Sequence, residues 1–159
     1  MAIQLKPINQ QIAVVFGASS GIGRATALEM AKQGATVVVS SRNEQGLQTL
    51  VEDIEKSGGK ASYVVADASS FEELDHLAKT TVERYGRLDT WIHTASASLW
   101  ATFEQTTPDE WKRVIDVTLN GAAWGAMAAL PHLKKQGGAL IQVSSVEAIV
   151  GLPFQSAYA

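Results

Sequence analysis

The chain has 159 residues, 46% apolar and 18% charged, a net charge of −3 and no cysteine. That is long enough for one domain with a real core, its composition excludes a disordered or membrane-spanning chain, and the charge offers no footing for nucleic acid or a membrane surface. The lack of cysteine removes disulfides, a cysteine nucleophile and a zinc–thiolate site, and suits a cytoplasmic enzyme.

Residues 1–11 mix Lys6, Pro7, Asn9 and glutamines, so they read as an N-terminal extension rather than a signal peptide. The first strand is expected over Ile12–Phe16. Gly17-Ala18-Ser19-Ser20-Gly21-Ile22-Gly23 follows, then a helical stretch from Ile22 to Gln33 that Gly34 stops. An apolar strand, a glycine-rich turn and a helix start, in that order, make a pyrophosphate site. Glycine permits close approach and positive φ, and the helix N-terminus supplies free N–H groups and partial positive charge.

Further strands are expected over Thr36–Ser40, Ala61–Val65, Thr90–Thr94 and Ala139–Val143. Asn43 caps a second helix ended by Gly58-Gly59. Ser70 to Glu73 has capping-box spacing and starts a third, ending near Gly86. Thr107-Pro108-Asp109-Glu110 starts a fourth, expected to run to about Lys135 before Gly137-Gly138. This alternation gives an α/β doubly wound parallel sheet, strand order 3-2-1-4-5, with a cofactor at the switch point. The fifth strand then forms an apolar edge through Leu140, Ile141 and Val143. The chain is therefore expected either to be a piece of a longer protein or to have that edge covered.

With these motifs in place, the sequence resembles the short-chain dehydrogenase/reductase family from about Ile12 to its last residue. The resemblance rests on "FGASSGIGRA" at 16–25, on Asp67 in "VVADAS", and on "VSSV" at 143–146 followed by "SAYA" at 156–159. It implies a Rossmann-like domain over 12–159, incomplete at its C-terminal end. It implies that Gly17, Ser19, Ser20, Gly21, Ile22 and Gly23 hold a dinucleotide, with Asp67 and Ala68 near its adenine and Thr94 and Ala95 on the loop after the fourth strand. Ser145 and Tyr158 match the family's catalytic serine and tyrosine, the first bonding the reacting oxygen and the second moving its proton. From the residues alone, Asp67 is equally a turn residue before Ser69, and Ser145 and Tyr158 read as a turn serine and a surface tyrosine. A free phenol titrates far above neutral pH. The family lowers it with a lysine four residues on, a position beyond Ala159.

Arg42 follows the second strand, where a dinucleotide fold chooses its cofactor. An acid there binds a ribose 2′-hydroxyl, whereas Ser40-Ser41-Arg42 suits a 2′-phosphate, with Ser41 and Arg42 as the expected contacts. NADP(H) is thus favoured over NAD(H); a solvated loop arginine is the competing reading.

Four departures from the family pattern stand out. Phe16 replaces its usual threonine. His93-Thr94-Ala95-Ser96 replaces Asn-Asn-Ala-Gly, with His93 expected as a histidine whose ring is satisfied. Thr118 falls where the family's catalytic asparagine holds a relay water, so its hydroxyl is expected to take that catalytic role less well, while Asn120 sits about 200° further around a helix and cannot substitute for it. The chain also ends before the lysine. Leu99, Trp100 and Phe103 are expected as an apolar wall of the substrate pocket.

The reading is an oxidoreductase moving hydride between a nicotinamide and a small-molecule carbonyl or alcohol. The alternative is a nucleotide-binding or regulatory protein without turnover, or an inactive fragment. Trp111, Trp124 and Met127, with small residues from Gly121 to Ala129 that admit another helix, suggest a homodimer or homotetramer.

Overall fold

The computed structural model describes residues 5–159, so part of the expected 1–11 extension, residues 1–4, lies outside the described residues. Five parallel strands form one sheet: β1 (Ile12–Phe16), β2 (Thr36–Ser41), β3 (Lys60–Val65), β4 (Thr90–His93) and β5 (Ala139–Gln142). Their order is β3-β2-β1-β4-β5, the expected doubly wound arrangement. The strand bounds differ from expectation by a residue at one end or the other, and β1 matches at both.

Successive side chains of a strand face opposite sides of the sheet. Ala13, Val15, Val37, Val39 and Ile92 meet α1 (Gly21–Lys32) and α2 (Glu44–Lys56) on one face. Val14, Phe16, Val38 and Trp91 meet α3 (Phe71–Tyr85) and α5 (Gly121–Leu133) on the other. Leu47, Leu50 and Ile54 recur at helical spacing on α2 and are fully buried, as are Leu74 and Leu77 on α3. Burying each such side chain contributes about 2 kcal/mol. Together they fix the carboxyl ends of β1 and β4 side by side, which positions the site.

Caps set the helix starts. The Asn43 carboxamide accepts the Gly46 N–H at 3.0 Å, and the Ser70 hydroxyl accepts that of Glu73 at 3.2 Å. Thr107 and Glu110 form a reciprocal capping box at the start of α4 (Pro108–Ile115).

The helix expected to run from 108 to about 135 is three pieces in one rod. α4 passes into a π-helical turn, Asp116–Asn120, and α5 then ends at Leu133. The turn carries one extra residue, and its Thr118 hydroxyl bonds the backbone of the loop after β4. It accepts the Ala97 N–H at 3.0 Å and donates to the Ala97 carbonyl at 2.9 Å. Asn120 donates back to Asp116 at 3.0 Å, away from that loop.

The small residues behind the turn serve the chain's own sheet. A Cβ on Gly121 would lie 2.9 Å from the Ala68 carbonyl, and one on Gly125 would lie 2.8 Å from His93 Nδ1. At these two positions the expected room for another helix is already taken. Leu119 and Met127 instead face outward, 63% and 60% exposed. No helix among the described residues is long and apolar enough to cross a membrane.

Candidate functional site

β1 turns into α1 through Gly17, whose φ is +86°. Two backbone bonds pin the turn, from the Gly17 N–H to the Ser40 carbonyl at 2.8 Å and from the Ala18 N–H to the same oxygen at 3.1 Å. Thr94, just past β4, donates its hydroxyl to the Phe16 carbonyl at 2.8 Å. No room remains for side chains here. A Cβ on Gly17 would lie 2.6 Å from Thr94 Oγ1, and one on Gly23 would lie 2.4 Å from the Gly17 carbonyl. No side chain caps α1, because Ser20 is extended and its hydroxyl bonds none of the first-turn N–H groups. Those amides face a cleft of about 430 Å³. The donor set is what an anionic pyrophosphate requires. Every residue assigned to the cofactor from the sequence lines this one cleft, together with Phe16, Asn43, Ala66, Ser96 and Val117.

At its far end stands Asp67. Burial opposes its charge, but hydrogen bonds from the Ser69 N–H and hydroxyl, both at 2.8 Å, and the Arg113 guanidinium outweigh that and hold its carboxyl below its ordinary value. Arg42 is 65% exposed, with Nη1 at 3.7 Å from Asp67 Oδ2. Ser41 Oγ accepts the Asn43 N–H at 3.2 Å. Ser40, counted with them toward a phosphate, is wholly buried and turned away from the cleft. Arg113 escaped the sequence reading because nothing local marks it: it lies on α4, far along the chain from Asp67.

A second cleft, of about 420 Å³, opens over the ends of β4 and β5. Ser145, Tyr158 and Thr118 all line it. Ser145 Oγ accepts the Glu147 N–H at 3.2 Å, which leaves its hydroxyl hydrogen available to another acceptor. Thr118 has no such freedom: its one proton goes to the Ala97 carbonyl, so it cannot also donate to a relay water. Ala95 and Ser96 line both clefts, so a ring held at the end of the first would face a molecule held in the second.

The family model for short chain dehydrogenase matches residues 11–159. The chain belongs to the short-chain dehydrogenase/reductase family. It is 37% identical over 99% of its length to the uncharacterized oxidoreductase YxnA of Bacillus subtilis, covering 45% of that protein. It is 36% identical over 94% of its length to a 3beta-hydroxysteroid dehydrogenase of Mediterraneibacter gnavus, covering 55% of it. An L-rhamnose 1-dehydrogenase (NAD(P)(+)) of Azotobacter vinelandii is 37% identical over 91% of the chain, which covers 59% of that relative. The chain thus spans about half of the length of these short-chain dehydrogenase relatives.

Two departures from the short-chain dehydrogenase pattern turn out to be one. Phe16 and His93 are register partners in β1 and β4, with ring centroids 4.8 Å apart. The family's polar threonine and asparagine positions are here filled by two packed rings. Phe16 lines the first cleft and His93 the second, so the pair forms part of the wall between them. The expectation of a satisfied histidine ring fails: His93 is 3% exposed and neither ring nitrogen has a partner. The Phe16 ring packs on it, and a Cβ on Gly125 would touch both His93 Nδ1 and Trp91 Nε1, an indole nitrogen that likewise has no partner.

Burial therefore holds the His93 imidazole neutral, down to about 4 from 6.5. As pH falls below 6.5 the unfolded chain takes up this proton and the folded chain does not, until about 4. The stability this neutral ring contributes is complete above 6.5 and is lost as pH falls toward 4. Denaturant titrations across that window are expected to show stability falling more steeply in the wild type than in His93→Asn. Equal slopes would place the proton uptake elsewhere.

Leu99, Trp100 and Phe103, expected as an apolar wall, do not line the second cleft. Trp100 and Phe103 are both 68% exposed, and Phe103 packs edge-on against Trp111 at 5.7 Å. The second cleft takes its apolar lining from Val114, Ile115, Leu119, Ala122, Val143 and Ala148. The composition of the 97–103 loop was legible; its direction was not.

Proposed function

We propose that this chain is the cofactor-binding and reaction-bearing portion of an NADP(H)-dependent oxidoreductase acting on a carbonyl or secondary alcohol. The observation that carries the reading is the junction at Ala95 and Ser96, where the glycine-lined cleft meets the cleft of Ser145 and Tyr158. The glycine cradle and the free amides of α1 fit a dinucleotide: Gly17 to Gly23 would hold its pyrophosphate, and Asp67 would lie beside its adenine. When bound, the nicotinamide supplies or takes up hydride.

The chain's own residues do the rest. The Ser145 hydroxyl donates to the substrate oxygen and orients it, with one of its two lone pairs already taken by the Glu147 N–H. The Tyr158 phenol gives its proton to that oxygen in reduction and takes it back in oxidation. Thr118 fixes Ala97 and with it the loop between the clefts, so it positions rather than reacts. The apolar lining on α4, the π turn and α5 favours a substrate with a hydrophobic body. The exposed Met127 supports assembly as a homodimer or homotetramer through this rod.

Arg42 supports NADP(H). A 2′-phosphate brings a charge of about −1.5 to −2 that a guanidinium can meet with charge-assisted bonds. Arg42→Ala is expected to weaken NADPH binding about tenfold and leave NADH nearly unchanged, as titration of each would show. Equal losses for the two cofactors would overturn the NADP(H) preference.

A further inference from the structure

Two guanidinium groups converge on one carboxylate at the adenine end of the nucleotide cleft. Asp67 Oδ1 is occupied by the N–H and hydroxyl of Ser69, each at 2.8 Å. The other oxygen, Oδ2, is shared. Arg113 on α4 approaches it with both terminal nitrogens at 3.4 Å and also donates to Ser69 Oγ at 3.0 Å. Arg42 approaches the same oxygen at 3.7 Å and has no other polar partner among the described residues. The two arginines differ in freedom: Arg113 is 37% exposed and held at three contacts, while Arg42 is 65% exposed and held at one.

We propose that Arg113 is a positioning residue for cofactor choice, holding Asp67 so that Arg42 stays free to leave it for a ribose 2′-phosphate. The inference rests on the NADP(H) reading above. A carboxylate with no other cation beside it would keep Arg42 for itself. It would also set an unneutralised negative charge beside the guanidinium that is to meet the phosphate, and so oppose the phosphate's approach. Arg113 removes both obstacles by neutralising Oδ2 from the α4 side. Neither obstacle exists for NADH, which has a hydroxyl where NADPH has the phosphate. Loss of Arg113 therefore acts on the ratio of the two affinities rather than on nucleotide binding in general.

The test is calorimetric titration of NADPH and NADH into the wild type and into Arg113→Gln, Arg113→Lys, Asp67→Asn and Arg42→Ala. Arg113→Gln is expected to lower the NADPH-to-NADH preference about fivefold, the scale of one partly exposed ion pair. Arg113→Lys keeps the charge and should retain most of the preference. Asp67→Asn removes the competitor and should raise the preference, and it keeps the proposal testable should Arg113→Gln fail to fold. Equal weakening of both cofactors by Arg113→Gln would reduce Arg113 to a structural brace and overturn the proposal. So would a preference that Arg113→Gln leaves intact while Arg42→Ala abolishes it, in which case the NADP(H) reading stands alone. A preference insensitive to Arg42→Ala would overturn both.

Discussion

Gly23→Ala is expected to weaken NADPH binding about a hundredfold or more. The added methyl would sit 2.4 Å from the Gly17 carbonyl and 2.6 Å from Thr94 Oγ1, and neither can move aside cheaply. Gly17 is tied by its N–H to β2 and sits at φ +86°. Thr94 is tied by its hydroxyl to the end of β1. The loop must shift as a unit, by roughly an ångström, which is enough to misdirect the amides and to weaken binding about a hundredfold or more. Gly21→Ala is the contrast. Its φ is +53° and its Cβ would meet nothing within 4 Å, so backbone strain of about 1–2 kcal/mol is the whole penalty. Titration of NADPH against both variants separates steric closure of the cradle from strain. A Gly23→Ala protein that binds like the wild type would mean that the pyrophosphate lies elsewhere.

Tyr158→Phe is expected to lower turnover about a thousandfold while leaving NADPH affinity within a factor of about two. Tyr158 lines the second cleft and not the first, so removing its hydroxyl touches the proton and not the nucleotide. Ser145→Ala should lower turnover about a hundredfold by removing the donor to the substrate oxygen. The measurement is NADPH consumption with aldehyde and ketone substrates by the protein that carries this chain. A Tyr158→Phe protein turning over like the wild type would remove the phenol from the reaction.

The sheet was legible because short apolar runs, glycine stops and side-chain caps are local signals. β1 matches its apolar run residue for residue, and Asn43 and Thr107 cap as their spacing implies. Ser70 shows where locality ends. Its hydroxyl takes the Glu73 N–H, but the Glu73 carboxylate accepts from the Asp67 N–H at 2.8 Å instead of closing the box. The π turn at Asp116–Asn120 keeps helical dihedrals at both ends and left no mark in the residue pattern. The glycine-lined cleft was legible because one loop and the ends of neighbouring strands build it, in a fold whose strand order brings them together. The Arg113–Asp67 contact and the Phe16–His93 pair were not, since each depends on register between distant segments. By composition Trp100 and Phe103 suit a pocket wall, yet the loop turns them outward and the rod lines the cleft instead.

The most direct measurement is a calorimetric titration of NADPH, with NADH alongside, into the unmodified protein. Saturable binding of both is expected, tighter for NADPH. No saturable binding of either would contradict the NADP(H) reading at its root, because the glycine cradle would then not be a dinucleotide site and the adjoining Ser145–Tyr158 cleft would have no hydride to receive.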